Sequence, residues 1–344
     1  MSRRVTIKDV AAHARVSYQT VSKVLNKQAQ VSKETEERIW EAVHMLGYRP
    51  NVIARSLRSQ RSKMVGYSWA PSPKDQGNSI LDQFLQSMVQ AGDAAGYQVL
   101  AFPHRPEGKW IDAYRELIDT NRVDGFVLTS VEYNDPRIQL LQELEFPFVA
   151  FGRSNPDWDL PYVDVDGADG MCQVVEHLVA CGHRRIAALG WPEDSRVGNN
   201  RMEGFLSAVN AAGLQAPSEW ILRGEGVYWF GVEATDRLLS KSQDQLPSAI
   251  VAFNDFMAIG AMHAIQAKGM RVGRDIAVTG FDDVPLVQYL KPSLTSVRQP
   301  IWEVGQHVIA MLLDLLADKK SLQKDILLQP RLIVRGSSNP ENAE

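Results

Sequence analysis

Two short amphipathic segments joined by a tight turn, within residues 6–26, constrain this chain more than any other feature. In the first, Ile7, Val10, Ala11 and Ala14 recur at helical spacing and give one apolar face. Arg15 and Val16 make the turn. Ser17 follows, where its hydroxyl can accept an orphan backbone N–H at the start of a second helix. That helix, from Tyr18 to Asn26, turns Val21, Val24 and Leu25 inward and leaves Tyr18, Gln19, Ser22 and Lys23 outside. A helix whose first turns carry such hydrogen-bonding groups, with no acid among them, suits a DNA major groove. The plainer reading is a structural helical hairpin, which gives no reason for so polar and acid-free an end.

Charge separates the same way. The 344 residues carry 37 Lys and Arg against 41 Asp and Glu, a net of −4 that by itself suggests no nucleic acid. Residues 1–61, however, hold 12 basic and 5 acidic residues, a net of +7. The remainder holds 25 and 36, a net of −11. A small basic module on an acidic body is the asymmetry expected when only one end meets phosphate.

Beyond residue 62 the pattern becomes an alternation of strands and helices. Strand-like runs occur at 64–68, 98–102, 124–129 and 147–151, and again at 162–166, 185–190, 249–253 and 276–281. This rhythm predicts parallel sheets covered by helices on both faces, in two similar lobes with a cleft between them. A helix is expected over 301–317 and a last strand over 327–334. The hydrophobic content of 44% is ample for such cores.

Open α/β sheets bind ligands just past the carboxyl ends of their strands. Polar or aromatic residues stand there at Ser68, Trp69, Arg153, Asn254, Asp255, Asp282 and Asp283, and Arg201 opens a helix after residue 191. Trp69, Tyr228 and Trp229 are candidate rings for stacking. Each has a plainer reading: Asn254 and Asp282 could cap helices, Arg153 could form a salt bridge across the cleft, and the tryptophans could be core or interface residues. Asp255 and Asp283 fit bracing better than ligand contact.

The run Val5-Thr6-Ile7-Lys8-Asp9-Val10-Ala11, then Val16-Ser17-Tyr18-Gln19-Thr20-Val21-Ser22-Lys23-Val24-Leu25-Asn26, resembles the headpiece of the lactose-repressor/galactose-repressor (LacI/GalR) family. Val31-Ser32-Lys33-Glu34-Thr35 and Leu46-Gly47-Tyr48-Arg49-Pro50-Asn51 extend the likeness, which recurs in pieces to the C-terminal part. The resemblance implies a small all-α helix-turn-helix headpiece plus an α/β periplasmic-binding-protein-like core of two doubly wound parallel-sheet lobes. It implies a headpiece at 1–50, a hinge helix and linker at 51–61, and an effector-binding and dimerisation core at 62–344. The first lobe is expected at about 62–161 and 292–322, the second at about 162–291 and 323–337. On this reading Tyr18, Gln19 and Lys23 read bases, while Thr6, Ser17, Thr20, Ser22, Asn26, Tyr48 and Asn51 hold the DNA backbone. Leu57 takes the place of the family's minor-groove wedge, with Ala54 one turn earlier. Arg201, Asn254 and Asp282 match the family's effector-holding positions, to which Ser68, Trp69, Arg153 and Trp229 add the opposite wall and stacking.

The expected partners are double-stranded operator DNA, a small-molecule carbohydrate and a second copy of the chain in a homodimer. No cofactor and no metal are expected, and no catalytic residues: GxGxxG after the first strand, GxxxxGK[ST] and GxSxG are all absent. No apolar run approaches membrane-spanning length and the N-terminal residues do not read as a signal peptide, so a cytoplasmic protein is expected. Cys172 and Cys181 are too few for a disulfide framework. Two alternatives remain at this point: a regulator sensing a nucleobase or other non-sugar co-repressor, and a transport-type sugar-binding protein with no DNA role.

Overall fold

In the computed structural model, residues 5–25, 31–49, 61–69, 77, 79–103, 110–240, 242, 246–319 and 323–339 are described. The chain divides into two units, Met1–Ser62 and Lys63–Glu344.

Among the described residues, the first unit contains three helices, α1 (Ile7–Ala14), α2 (Tyr18–Leu25) and α3 (Lys33–Leu46). Val10, Ala11, Ala14, Val21, Val24, Ile39, Ala42 and Val43 form its core. The apolar spacing in the sequence therefore faces inward as expected. Thr6 and Asp9 close the start of α1: the Thr6 backbone N–H and hydroxyl each donate to Asp9 Oδ2 at 2.7 Å. Arg15 ends that helix at φ 54°, a left-handed position that lets the chain turn sharply. Ser17 Oγ then accepts from Thr20 N at 3.1 Å, as a cap for α2.

The second unit holds two six-stranded sheets. The first contains β1 (Met64–Trp69), β2 (Gln98–Pro103), β3 (Gly125–Leu128), β4 (Phe148–Phe151) and β5 (Tyr162–Val165), joined by β11 (Asp325–Leu328). Its order is β11-β5-β4-β3-β1-β2, parallel throughout. Helices α4 (Ser79–Ala94) and α11 (Ile301–Leu316) cover one face; α5 (Trp110–Asp119) and α6 (Pro136–Glu143) cover the other. The second sheet contains β6 (Ile186–Gly190), β7 (Ile221–Arg223), β8 (Ala249–Ala252), β9 (Ala277–Asp282), β10 (Thr295–Arg298) and β12 (Arg331–Ile333). Its order is β12-β10-β9-β8-β6-β7, with β12 alone antiparallel. Here α7 (Gly167–Ala180) and α8 (Arg196–Ala211) pack on one face, α9 (Tyr228–Leu239) and α10 (Asp255–Ala267) on the other. Every residue of β3, β6 and β8 is buried, because helices lie on both sides.

Strand membership differs from expectation in three places. Tyr162–Val165 belongs to the first sheet, paired with β4 and β11, rather than opening the second lobe. Thr295–Arg298 belongs to the second sheet rather than the first, paired with β9 and β12. The single last strand expected over 327–334 is two strands, one in each sheet, with Gln329 and Pro330 between them. Proline has no N–H to donate to a ladder and breaks the run there. The chain thus passes between lobes three times: after β5, after β10 and after β11. Alternation of strand and helix signals cannot show which lobe a boundary strand joins, since either sheet edge satisfies the same pattern.

One close helix pairing is set by a glycine. A Cβ on Gly204 of α8 would collide with the backbone carbonyl oxygen of Ala168 in α7. Backbone, unlike a flexible side chain, cannot swing away. Gly204→Ala is therefore expected to cost about 1–3 kcal/mol of stability despite alanine's better helix propensity. Urea denaturation followed by circular dichroism measures it, and an unchanged midpoint would show that the two helices separate freely.

Candidate functional site

The cleft between the lobes encloses a cavity of about 750 Å³. Its walls come from the strand ends and helix starts of both sheets, as the geometry of open α/β folds requires.

Arg201 is the centre of the second-lobe wall. It lies on the second turn of α8 and is 4% exposed. Its guanidinium sits 3.6 Å above the Phe281 ring centroid and 5.0 Å from that of Trp191. Nη1 donates to the Phe253 carbonyl, and Nη2 lies 3.6 Å from Asp282 Oδ1. Burial pulls the guanidinium below its ordinary pKa, and Asp282 is the foremost of three carboxylates opposing that fall. Among the described residues its Nε has no hydrogen-bond partner.

Asp282 ends β9 at φ 114°, a left-handed value rare outside glycine, and Asp283 follows at φ 49°. Strain of this kind concentrates at functional positions. Asp282 Oδ1 also accepts from Gln299 Nε2 at 2.7 Å. Burial raises the Asp282 carboxyl to about 6, against the pull of Arg201 and Gln299. Asn254 both lines the cavity and caps α10: its Oδ1 accepts from Met257 N at 2.8 Å, and its Nδ2 donates to Gly226 O at 2.8 Å. The cap and the site are one residue.

On the first-lobe side, Arg153 Nε donates to Asp164 Oδ2 at 2.7 Å and Nη2 reaches Asn200 Oδ1 across the cleft at 3.3 Å. The salt bridge of Arg153 thus lies within the first lobe, and its contact across the cleft is a hydrogen bond to an amide. Burial raises the Asp164 carboxyl, with Arg153 the main opposing influence. Three further contacts bridge the lobes at the start of α8. Arg196 N donates to Glu132 Oε2 at 2.5 Å, Arg196 Nε to Ser154 O at 3.0 Å, and Asn199 Nδ2 to the Tyr133 hydroxyl at 3.5 Å.

Arg153, Arg201, Asn254 and Asp282 are brought together on the cavity walls. Ser68, Trp69 and Trp229 are not among the lining residues. Ser68 is buried at the end of β1, Trp69 is half exposed beside it, and Trp229 is 67% exposed on α9. Tyr228 turns to His263, its hydroxyl 2.8 Å from Nδ1. The aromatic wall is instead Trp191, Tyr133, Phe151 and Phe256. Trp191 directly follows β6, and strand-end reasoning applied to that strand would have found it. Asp255 and Asp283 brace the scaffold. Asp255 accepts from Ser296 Oγ at 2.5 Å and Val284 N at 2.8 Å, and Asp283 pairs with Arg298 and Arg335.

In the headpiece, Tyr18, Gln19 and Lys23 are exposed on α2, with Ser22 and Thr20 half-buried beside them. Thr6 and Ser17 are exposed and engaged in their caps, and Tyr48 is half-buried against the headpiece core. Asn26, Asn51, Ala54 and Leu57 lie outside the described residues.

A helix-turn-helix unit ahead of a two-lobed, cleft-bearing core defines a ligand-responsive regulator of transcription. Residues 6–51 match the lacI family of bacterial regulatory proteins, and residues 175–338 match a periplasmic binding protein-like domain. The HTH-type transcriptional repressor PurR of Escherichia coli O139:H28 is 32% identical over 334 residues, 96% of each chain. A regulatory protein of the LacI family from Chloroflexus aggregans is 53% identical, covering 81% of this chain and 99% of its own, with a TM-score of 0.78. The transcriptional regulator CelR in complex with cellobiose is 31% identical, covering 97% and 100%, with a TM-score of 0.73. The chain belongs to the lacI family, and it is a DNA-binding transcriptional repressor. Its relatives are regulators rather than enzymes.

The raised Asp282 carboxyl gives a pH signature. A carboxyl whose pKa is higher folded than unfolded holds its proton more tightly in the native state, so ionisation removes stability as pH rises. Wild type should therefore lose stability relative to Asp282→Asn between pH 3.8 and about 6, and the difference should stay flat above pH 7. Thermal unfolding across that range checks it; a difference independent of pH would remove Asp282 as the titrating group.

Proposed function

We propose that this protein is a cytoplasmic repressor of carbohydrate-utilisation genes, released from a palindromic operator when a sugar closes the cleft on itself. The effector is a glucoside or short oligosaccharide. The observation that carries this is the cavity itself: about 750 Å³, walled by polar side chains and by aromatic rings of both lobes. Adjacent hydroxyls are met by charged and amide groups in pairs, and rings stack on a sugar's apolar face. The likeness to a regulator solved with cellobiose, over nearly the whole chain, supports the same reading.

DNA recognition is assigned to Tyr18, Gln19 and Lys23, whose side chains leave α2 on the face opposite Val21 and Val24. Thr6, Ser17, Thr20, Ser22, Asn26, Tyr48 and Asn51 hold the backbone, and Ala54 and Leu57 serve the minor groove. In the core, Arg201, Asn254, Asp282 and Arg153 hold the effector, and stacking passes from Trp69 and Trp229 to Trp191. The working unit is a homodimer. Trp229, Leu286 and Tyr289, exposed by 67, 55 and 75%, belong to elements packed on one face of the second sheet, where a second copy would cover them.

Two experiments separate the halves of this reading. Gln19→Ala should cost about 1–3 kcal/mol on the cognate site and relax preference at one base position in a randomised-operator selection. An unchanged preference would place recognition elsewhere. For the effector, a thermal-shift panel of mono- and disaccharides is followed by operator binding with each stabilising sugar. The effective sugar should weaken operator binding by about 5–150-fold, the usual range of coupling between two sites. Asp282→Ala should abolish that response while leaving operator affinity near wild type. A full response in this variant would exclude Asp282 from the site.

A further inference from the structure

Resting on the reading of the cleft as an effector site, we infer that Arg137 is a positioning residue for it: clamped by Asp135 beneath the first-lobe wall, it fixes the turn between β3 and α6 and so places Glu132 and Tyr133 against α8 of the second lobe. Arg137 is not itself among the residues lining the cavity, whereas the turn supplies four in a row, Ser130 to Tyr133. Two left-handed residues bracket the turn, Ser130 at φ 51° and Asn134 at φ 53°. Neither is glycine, so each conformation has to be held by its surroundings. At the outer end, Asn134 N donates to Asn155 Oδ1 at 2.9 Å and Asn155 Nδ2 to Asn134 Oδ1 at 2.7 Å, in exposed bonds that water can replace. At the inner end, Arg137 Nη2 donates to Thr129 O at 3.0 Å and Ser130 O at 3.1 Å. Successive carbonyls of a strand point to opposite sides. Here the left-handed Ser130 brings both within reach of one nitrogen.

Asp135 holds the guanidinium in that pose. Arg137 Nε donates to Asp135 Oδ1 at 3.0 Å and Nη2 to Oδ2 at 2.6 Å, while Oδ1 also caps α6 by accepting from Arg137 N at 2.9 Å. Both residues are buried. Stability alone does not call for such a pair, since apolar residues of similar volume often serve a core as well. What apolar residues cannot do is hold two carbonyls in a fixed direction, and a planar guanidinium can. The far side of the turn reaches the second lobe. Arg196 is the first residue of α8, so its N–H has no acceptor within the helix, and it donates to Glu132 Oε2 instead. The Arg196 guanidinium lies 5.7 Å from the Tyr133 ring centroid. Protection of that one amide therefore reports where Glu132 stands.

The test reads hydrogen exchange at single amides of the full-length protein, in a variant combining Asp135→Asn with Arg137→Met. The combination removes both buried charges together and keeps a capping side chain on α6. The Arg196 amide should exchange about ten-fold faster than in wild type, the equilibrium worth of one hydrogen bond, while the interior of α8 keeps its protection. Residues 130–134 should quicken with it. In a Glu132→Ala background the same pair of substitutions should have no further effect at Arg196, because they act through Glu132. Unchanged exchange at Arg196, an equal further loss in the Glu132→Ala background, or a loss spread over the whole first lobe overturns the inference. Arg137→Lys keeps a buried charge beside Asp135 without the planar fork; it should show the same faster exchange, and it decides the matter if the combined variant does not fold. Calorimetry with cellobiose and maltose then reads the cleft. A sugar that binds wild type should bind the combined variant about ten-fold more weakly, and equal affinity overturns the role in the effector site. If neither sugar binds wild type, the carbohydrate reading alone is struck, since exchange at Arg196 needs no ligand.

Discussion

The core depends on one buried cation. Removing a guanidinium from water is costly, and the cost is tolerable only when the group finds opposite charge and hydrogen bonds. Arg201 finds them on three elements at once: the Phe253 carbonyl after β8, the Asp282 carboxylate ending β9, and the faces of Phe281 and Trp191. This single side chain fixes how α8 meets the ends of three strands. It also explains the backbone at Asp282, whose left-handed φ turns the carboxyl back toward the arginine.

The second constraint is how the lobes are joined. All three passages between them carry a polar contact at or next to the connecting residues. Asp166 N donates to Leu328 O, Gln299 Nε2 to Asp282 Oδ1, and Gln173 Nε2 to Pro330 O. Gln299 therefore links a connecting segment to the carboxylate that faces the cleft. On the proposed reading, a ligand held by Asp282 would act on that segment, and movement of the segment on Asp282. Such reciprocity is a thermodynamic necessity for two linked equilibria.

How much was legible in the sequence followed from the kind of signal. The first two helices of the headpiece were readable because periodicity and the cap at Ser17 agreed locally, whereas the third came only with the family resemblance; in the structure Ser32 and Gly47 cap it. Arg201, Asn254, Asp282 and Arg153 were readable because strand ends and motif spacing are local too. Strand membership was not: whether β5, β10 or β11 completes one sheet or the other depends on pairing partners far along the chain. The stacking residues failed for a similar reason. An aromatic residue in sequence gives no direction, and Trp229 points to solvent from α9 while Trp191, directly after β6, lines the cleft.

The lobe-bridging contacts complete the argument about control. Glu132, Tyr133, Arg153 and Ser154 on one side meet Arg196, Asn199 and Asn200 on the other, all within the first two turns of α8. Polar contacts at a solvated rim contribute about 0.5–1.5 kcal/mol each at best, and less when both partners keep water. A few of them narrow the gap between open and closed arrangements without settling it. On the proposed reading the remaining free energy comes from whatever fills the cavity, beside Arg201, which lies deeper on the helix that carries the rim, and Asp282 at the end of β9. On that reading, the differential affinity of a ligand spanning both walls for the closed arrangement sets how far the equilibrium moves.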